Sequence, residues 1–306
     1  MDPGPKGFSR LGNFLQAERK GSKSLVRLSK RMGELVFIGL GLHDEKGVTL
    51  RGLEEARGAD VVFAELYTST LAGASLESVE RLVGKKIRIL GRAEVEDGHT
   101  ILAAAAGQRV AFLVGGDPMA ATTHVDLRLR AASAGIPTRI VHGASILTAA
   151  AGVLGLQIYK FGRTTTIPFP SEGFGPTSPL EVILENRSAG LHSLVLLDLR
   201  EDGTFLLAGD AIGLLLQMAA KIGTAEIGRR MLTCALSRVG SREALAVAGP
   251  LGELPARDLG RPPHCLVIPG SLHFLEKEAL IAFAGAPRDF SEGPSRVPRG
   301  VRSART

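Results

Sequence analysis

Short apolar runs alternate with longer amphipathic segments through the first half of the chain. The runs at residues 35–38, 61–64, 87–90, 110–114 and 138–141 predict five strands. The segments between them that have the length and pattern of helices lie at residues 49–57, 76–83, 99–106 and 122–134. Such alternation is typical of a parallel sheet that helices cover on both faces.

The pattern changes after about residue 142, where strands follow one another with fewer helices between them. Strands are predicted at 164–167, 194–198, 231–236, 244–249 and 265–268. Helices are predicted at 145–156, 180–188, 208–222 and 272–283. The fold class is therefore α/β, with a mostly parallel N-terminal sheet and a mixed C-terminal sheet. We expect two α/β domains, at residues 32–142 and 143–286, with their junction near His142.

The basic charge of the chain lies at its two ends. Residues 1–31 contain eight Lys or Arg and two Asp or Glu, and residues 287–306 contain five and two. Because the whole chain carries a net charge of +6, the remaining residues carry −3. We expect 1–31 to be a basic, disordered extension and 287–306 a basic, flexible tail. We therefore do not expect the body of the chain to bind nucleic acid. The tails are expected to be solvated, and contact of the tails with RNA is the alternative.

The cysteine count, the length of the apolar runs and the spacing of His and Cys argue against a disulfide-stabilised, a membrane-spanning and a metal-binding protein. The only cysteines, Cys234 and Cys265, cannot form a disulfide framework, and no apolar run is long enough to span a membrane. Residues 1–31 lack the apolar centre of a secretory signal. No spacing of His and Cys is typical of a metal site, so no metal is expected. These observations predict a cytoplasmic protein without a membrane partner.

Two glycine-containing turns follow predicted strands and mark a ligand site. Gly39-Leu40-Gly41 follows the first strand, and Gly115-Gly116-Asp117-Pro118 follows the fourth. In open parallel sheets, ligands bind at these carboxyl ends of strands. A dinucleotide fingerprint requires a third glycine at position 44, where this chain has Asp44, and this disfavours a dehydrogenase. No P-loop or Gly-x-Ser-x-Gly string is present, so the residues predict a small-ligand cleft without a phosphate cradle.

Each candidate site residue also has a purely local interpretation. Asp117 is placed to bind ligand hydroxyls or an amine, or else to cap the following helix. Ser145 either contacts a ligand or is the N-cap of the helix that it precedes. His264 stands before a strand as a ligand contact or as a structural, hydrogen-bonded residue. Thr122 and Thr123 either line a site or begin a helix, with Thr123 as the cap. The residue pattern leaves these alternatives open.

Six strings together resemble the diphthine synthase family, a branch of the tetrapyrrole methylase-like methyltransferases that use S-adenosyl-L-methionine (SAM). They are FIGLGL (37–42), AELYTS (64–69), GDPMAATTH (116–124), HGASI (142–146), IYKFG (158–162) and PPHCLVIPG (262–270). The resemblance runs from about residue 35 to residue 287. The chain departs from it at Gly115-Gly116 and Gly143-Ala144, where proline-glycine and alanine-proline pairs are usual.

The resemblance implies both the fold and the ligand. SAM would lie in the cleft between the two domains, with S-adenosyl-L-homocysteine as the product. The residues that the resemblance assigns to this ligand are Leu42, Asp117, Ala120, Ser145, Ile146, Leu197, Val239 and His264. The protein substrate would be translation elongation factor 2, on a histidine that carries an amino-carboxypropyl group. The enzyme methylates the amine of that group to give diphthine, and the family is typically homodimeric.

Methyl transfer from a sulfonium is an in-line displacement that needs neither a nucleophilic residue nor a metal. The enzyme has to align the acceptor amine and exclude water, and the amine must lose a proton. The candidates for the acceptor side are Glu65, Tyr67, Thr122 and His124, each of which also has a local interpretation, Thr122 as a cap and Tyr67 as packing. Tyr67 is an aromatic candidate for the face of a methylated, cationic amine.

Three other functions remain open at this stage. One is a methyltransferase of the same fold that acts on a tetrapyrrole or on ribosomal RNA. Another is a nucleotide-binding or interaction module without catalysis. The third, a dehydrogenase, is disfavoured by Asp44.

Overall fold

The computed structural model describes residues 33–66, 71–170, 175–200 and 202–290. These residues form two five-stranded sheets with helices packed against them. The predicted extension at 1–31 lies outside the described residues, as does the tail from 291 onward. Phe290, within the predicted tail, packs against the core of the second sheet.

The first sheet is parallel throughout, as the alternation of strand and helix predicts. Its order is β3-β2-β4-β1-β5. The strands are β1 (Glu34–Gly39), β2 (Val61–Glu65), β3 (Arg88–Ile89), β4 (Arg109–Val114) and β5 (Thr138–Val141). The helices are α1 (Leu50–Gly58), α2 (Leu76–Val83), α3 (Arg92–Asp97), α4 (His99–Ala105) and α5 (His124–Ser133).

Strand β1 shows why this sheet is covered on both faces. Successive side chains of a strand point to opposite faces, and in β1 both sets are apolar. Phe37 enters one core with Phe112 of β4, and their rings meet edge to face at 6.0 Å. Ile38 enters the other core with Leu113 of β4. Each such fully buried side chain contributes roughly 1.5–3 kcal/mol to the free energy of unfolding.

Helix α3 is the one helix of the described chain that the hydrophobic pattern does not predict. Its sequence, RAEVED, is almost entirely polar, and only Val95 is buried. The helix begins after Gly91, whose backbone N–H donates a hydrogen bond to the carboxylate of Glu94. It ends at Gly98, which has a φ of +66°. Local capping therefore defines this helix, rather than an amphipathic period.

The second sheet is mixed, as predicted. Its order is β6-β7-β10-β8-β9, with only the β6–β7 pair parallel. The strands are β6 (Thr165–Ile167), β7 (Ser193–Leu197), β8 (Leu232–Ser237), β9 (Leu245–Pro250) and β10 (His264–Ile268). Its helices are α6 (Ile146–Leu154), α7 (Ser178–Ser188), α8 (Ala208–Ile222) and α9 (Phe274–Ala284).

A buried charged network fastens helix α9 to the second sheet. The Glu276 carboxylate accepts hydrogen bonds from Gln157 N at 2.9 Å and His273 N at 2.8 Å, and it pairs with Lys160 Nζ. His192 Nδ1 accepts from Gly270 N at 2.9 Å, so its Nε2 donates to Glu276 at 3.1 Å. Desolvation raises the pKa of Glu276, but the Lys160, backbone and His192 donors outweigh it and lower that pKa to about 2.

The described residues supply neither a membrane span nor a metal cluster. None of their helices is both long and apolar enough to cross a membrane. They contain no group of three metal-ligating side chains. Cys234 and Cys265 are buried, and desolvation raises the pKa of each thiol to about 12, so both are protonated at neutral pH.

Candidate functional site

A cavity of about 450 Å³ lies where the strand ends of the two sheets face each other. Its walls include the turn after β4 and the start of α6 on one side. The end of β7, the segment after β8 and the start of β10 form the other side. The volume is in the range typical of small-molecule sites.

Three strand-end turns of the first sheet meet at glycines beneath this cavity. Gly116 N donates to Gly41 O at 2.7 Å, and Gly41 N donates to Gly116 O at 3.2 Å. A Cβ atom on Gly39 would lie 2.5 Å from Gly116 O, and one on Gly143 would also clash with that oxygen. The loops after β1, β4 and β5 therefore approach more closely than any residue with a side chain permits.

Asp117 ties two of these turns together through its carboxylate. Oδ1 accepts from Met119 N at 2.9 Å, within its own turn. Oδ2 accepts from Gly143 N at 3.3 Å and lies 2.7 Å from Nδ1 of the exposed His142. Asp117 thus holds its own loop without capping a helix, and it also borders the cavity.

Ser145 has both roles that the sequence leaves open. It is the N-cap of α6, where its Oγ accepts from Leu147 N at 3.2 Å. Together with Ile146 it also lines the cavity. The first turn of α6 therefore lies at the cavity, where the positive end of a helix favours a negatively charged ligand group.

The second sheet contributes an apolar wall and one histidine. His264 Nδ1 accepts from Ala208 N at 3.2 Å, and Nε2 donates to Gly260 O at 3.1 Å. Both ring nitrogens are thus occupied by backbone groups, and burial lowers the pKa of His264, so the ring is neutral. His264 lines the cavity as an uncharged ring, together with the aliphatic side chains of Leu197 and Val239 from the same half and of Leu42 from the loop after β1.

The segment after Asp117 has an unusual backbone. Ala121 has a φ of +57°, a region that costs a non-glycine residue about 1 kcal/mol or more. Thr122 Oγ1 donates to Pro118 O at 2.8 Å. Thr123 is at the N-cap position of α5 but makes no side-chain capping bond, which corrects the capping role considered for it. Ala120, Ala121, Thr122 and Thr123 all border the cavity.

All eight residues that the resemblance assigns to the ligand line this one cavity: Leu42, Asp117, Ala120, Ser145, Ile146, Leu197, Val239 and His264. Of the three acceptor-side candidates that the structure describes, Glu65, Thr122 and His124, only Thr122 lines it. Glu65 and His124 are buried instead, with 0% and 1% of their surface exposed, and do not reach the cavity. Tyr67 lies outside the described residues.

Charged and aromatic residues that the sequence did not single out also border the cavity. Arg92 and Glu96 come from α3, Asp198 follows β7, and Phe205 lies in the loop before α8. Arg92 is the only Lys or Arg among the described residues of the lining. Because α3 has no apolar period, the hydrophobic pattern does not predict that Arg92 and Glu96 lie at the site. Asp198 could have been found from the sequence, because it is the last residue of the strand predicted at 194–198.

Known proteins are similar in sequence to this chain over most of its length. The family model of tetrapyrrole (corrin/porphyrin) methylases matches residues 34–255. A diphthine synthase from Methanosarcina mazei is 46% identical over 263 residues, which cover 84% of this chain and 98% of the relative. A diphthine synthase from Methanothermobacter thermautotrophicus is 44% identical, with 83% and 97% covered.

Solved structures agree with these relatives. A crystal structure of diphthine synthase matches with a TM-score of 0.76 and 37% identity, covering 84% of this chain and 98% of that one. A putative diphthine synthase from Entamoeba histolytica matches with a TM-score of 0.74 and 35% identity, covering 82% and 98%. The matches span both sheets, and the chain therefore belongs to the diphthine synthases within the tetrapyrrole methylase family.

Proposed function

We propose that this chain transfers methyl from SAM to the amine of an amino-carboxypropyl-modified histidine on elongation factor 2, and that SAM binds in the cavity between the two sheets. Family membership makes the chain a SAM-dependent methyltransferase with a role in diphthamide biosynthesis. The observation that carries the site is the convergence of eight residues, from both halves of the chain, on one cavity.

The donor set of the cavity fits SAM better than it fits a phosphate-bearing cofactor. The Asp117 carboxylate is an acceptor for hydroxyls or an amine, and the first turn of α6 suits a carboxylate. Aliphatic side chains of Leu42, Ile146 and Leu197 give an apolar surface for a flat base. A Cβ on Gly116 would meet nothing within 4 Å, so open space adjoins the backbone there.

SAM supplies a methyl group on a sulfonium, which is already a good leaving group. The chain's own contribution is therefore positioning and the exclusion of water. Asp117, Ser145 and His264 would fix the donor from two sides. His264 does not serve as the base, because both of its nitrogens are engaged by backbone groups.

The acceptor would enter beside α3, where the charges of the cavity are complementary to its groups. The amino-carboxypropyl group carries a carboxylate as well as an amine. The Arg92 guanidinium is suited to bind the carboxylate through two parallel hydrogen bonds. Glu96 and Asp198 favour the cationic, methylated amine by their charge, and the Phe205 ring offers an aromatic face for it.

Methyl transfer to defined acceptors tests this function. The purified chain would be incubated with SAM labelled on the methyl group and three acceptors: elongation factor 2 carrying the intermediate, ribosomal RNA, and a tetrapyrrole. We expect label only in elongation factor 2. A matched elongation factor with alanine in place of the modified histidine should take up none. Label in RNA or tetrapyrrole, with none in elongation factor 2, would contradict the proposal.

The cytoplasmic location and the homodimer stay predictions from the sequence, and contact of the basic ends with RNA stays an alternative to the predicted solvated tails. The domain boundaries at 32–142 and 143–286 stay predictions too.

A further inference from the structure

Glu65 and His124 form a buried pair directly behind the wall of the cavity. Glu65 is the last residue of β2, and His124 is the first residue of α5. Their side chains are 0% and 1% exposed, and Glu65 Oε1 lies 3.9 Å from His124 Nε2. Neither reaches the cavity, so neither touches an acceptor there.

The other nitrogen of His124 is hydrogen-bonded to the loop that forms the wall. His124 Nδ1 lies 2.9 Å from the carbonyl oxygen of Pro118. A carbonyl oxygen only accepts, so Nδ1 must carry the hydrogen. The ring also packs edge to face on Phe112, with the ring centroids 5.1 Å apart. The His124 ring is therefore held by the core at Phe112, and its Nδ1 binds the backbone carbonyl of Pro118.

The loop at residues 117–123 depends on side chains for its shape. Pro118 has no N–H, and Gly116 and Ala121 have positive φ, so regular backbone hydrogen bonding is interrupted. The Pro118 carbonyl accepts from both Thr122 Oγ1 and His124 Nδ1, at 2.8 Å and 2.9 Å. This shared carbonyl stands between Asp117 and Ala120, two residues assigned to SAM.

We propose that Glu65 and His124 are positioning residues that hold the Pro118 carbonyl and thereby the SAM-binding conformation of residues 117–123. Nε2 is buried without a hydrogen-bond partner of its own among the described residues, and the Glu65 side chain, 3.9 Å away, lies against this edge of the ring and keeps Nδ1 turned towards Pro118. The identity of the loop as a SAM contact rests on the proposed function.

Binding of S-adenosyl-L-homocysteine, measured by calorimetry, tests the proposal with paired variants. His124→Leu removes the donor to Pro118, and we expect affinity to fall about tenfold or more. His124→Asn places an amide N–H near the position of Nδ1, and we expect it to restore most of the affinity. His99, also the first residue of a helix and exposed, supplies the matched controls His99→Leu and His99→Asn, which should bind like the unchanged chain.

A double-mutant cycle tests the part played by Glu65. Glu65→Ala should weaken binding when His124 is present and have little further effect in the His124→Leu chain, because Glu65 acts through the ring. Kinetics provide the second measurement: the KM for SAM should rise while the KM for elongation factor 2 stays within about twofold. A rise confined to the elongation factor KM would overturn the proposal in favour of an acceptor role.

The outcomes separate failure of this inference from failure of the proposed function. If the unchanged chain does not bind S-adenosyl-L-homocysteine, the proposed function fails. If it binds and His124→Leu binds equally well, only the positioning role is wrong. Should His124→Leu not fold, as judged by its thermal transition, His124→Asn against His124→Gln separates a donor placed near Nδ1 from one placed near Nε2. Equal affinity of those two variants would then overturn the proposal.

Discussion

The carbonyl oxygen of Gly116 occupies the space that a Cβ atom on Gly143 would need. This contact joins the turn after β4 to the turn after β5, directly below the Asp117 carboxylate that spans the same two turns. The close packing of the loops and the shape of the cavity are therefore properties of one small region. Substitutions in this region should affect stability and ligand binding together.

Gly143→Ala is expected to destabilise the chain and to weaken ligand binding. The added methyl group must push apart the loops that carry Asp117 and Ser145, at a cost of roughly 1–3 kcal/mol. Thermal unfolding and calorimetry with S-adenosyl-L-homocysteine measure the two effects. Gly152→Ala in α6 is the matched control, since its Cβ would meet nothing within 4 Å. It should be neutral, or stabilising by about 1 kcal/mol.

Asp117→Ala is expected to reduce the affinity for S-adenosyl-L-homocysteine by about tenfold to a hundredfold. That is the usual effect of losing a hydrogen bond to a charged group, about 1.5–3 kcal/mol. Part of the loss comes from release of the Met119 and Gly143 amides that the carboxylate holds. Calorimetry checks the result against Asp126→Ala, whose carboxylate is exposed on α5. Unchanged affinity in Asp117→Ala would remove Asp117 from the site.

Arg92→Gln is expected to raise the KM for elongation factor 2 by about tenfold or more and to leave the KM for SAM unchanged. The substitution removes the charge that would bind the acceptor carboxylate. Steady-state kinetics with each substrate varied in turn separate the two constants. Arg81→Gln, on the exposed face of α2, is the control. An equal rise in both constants would place Arg92 outside the acceptor side.

Glu276→Gln is expected to make stability less dependent on pH in acid. The folded chain holds the pKa of Glu276 at about 2, below its ordinary value of 4.5. A carboxyl with a depressed pKa stabilises the fold fully above pH 4.5, and this contribution is lost as the pH falls towards 2. The stability difference between the unchanged chain and Glu276→Gln should therefore shrink over that range.

Denaturant unfolding at neutral pH and at several acid pH values measures this difference. At neutral pH the substitution should cost about 3 kcal/mol, because Lys160 loses its buried partner. Glu278→Gln, exposed on the same helix, should change stability by less than about 0.5 kcal/mol. A constant difference at all pH values would show that Glu276 is not the titrating group.

The sequence was sufficient to predict the strands of both sheets. The apolar runs of the central strands β1 and β4 are continuous because both faces are buried there, with side chains that are 0% exposed at Phe37 and Phe112. Helix α3 could not be predicted this way. Caps at Gly91 and Gly98 define it, and only Val95 is buried, so no apolar period marks it.

Some residues of the candidate site could be predicted from the sequence and others could not. Asp117 was predictable because it follows a strand of a parallel sheet, whose strand ends come together, whereas Leu197 rested on the family resemblance. Glu65 also follows the buried run of a strand, yet its side chain points into the core beside His124 and not into the cavity. Which way a side chain points at a strand end depends on the exact end of that strand. Periodicity does not determine the end to one residue.

The cavity has one wall from each sheet, and each sheet packs its own apolar clusters. A ligand that touches both walls would connect two sheets that are otherwise packed separately. Its binding energy would then oppose any opening of one layer from the other, including openings that leave each core intact. Amide hydrogen exchange should accordingly slow in β4 and in β10 together when ligand is added, although their cores share no buried side chain.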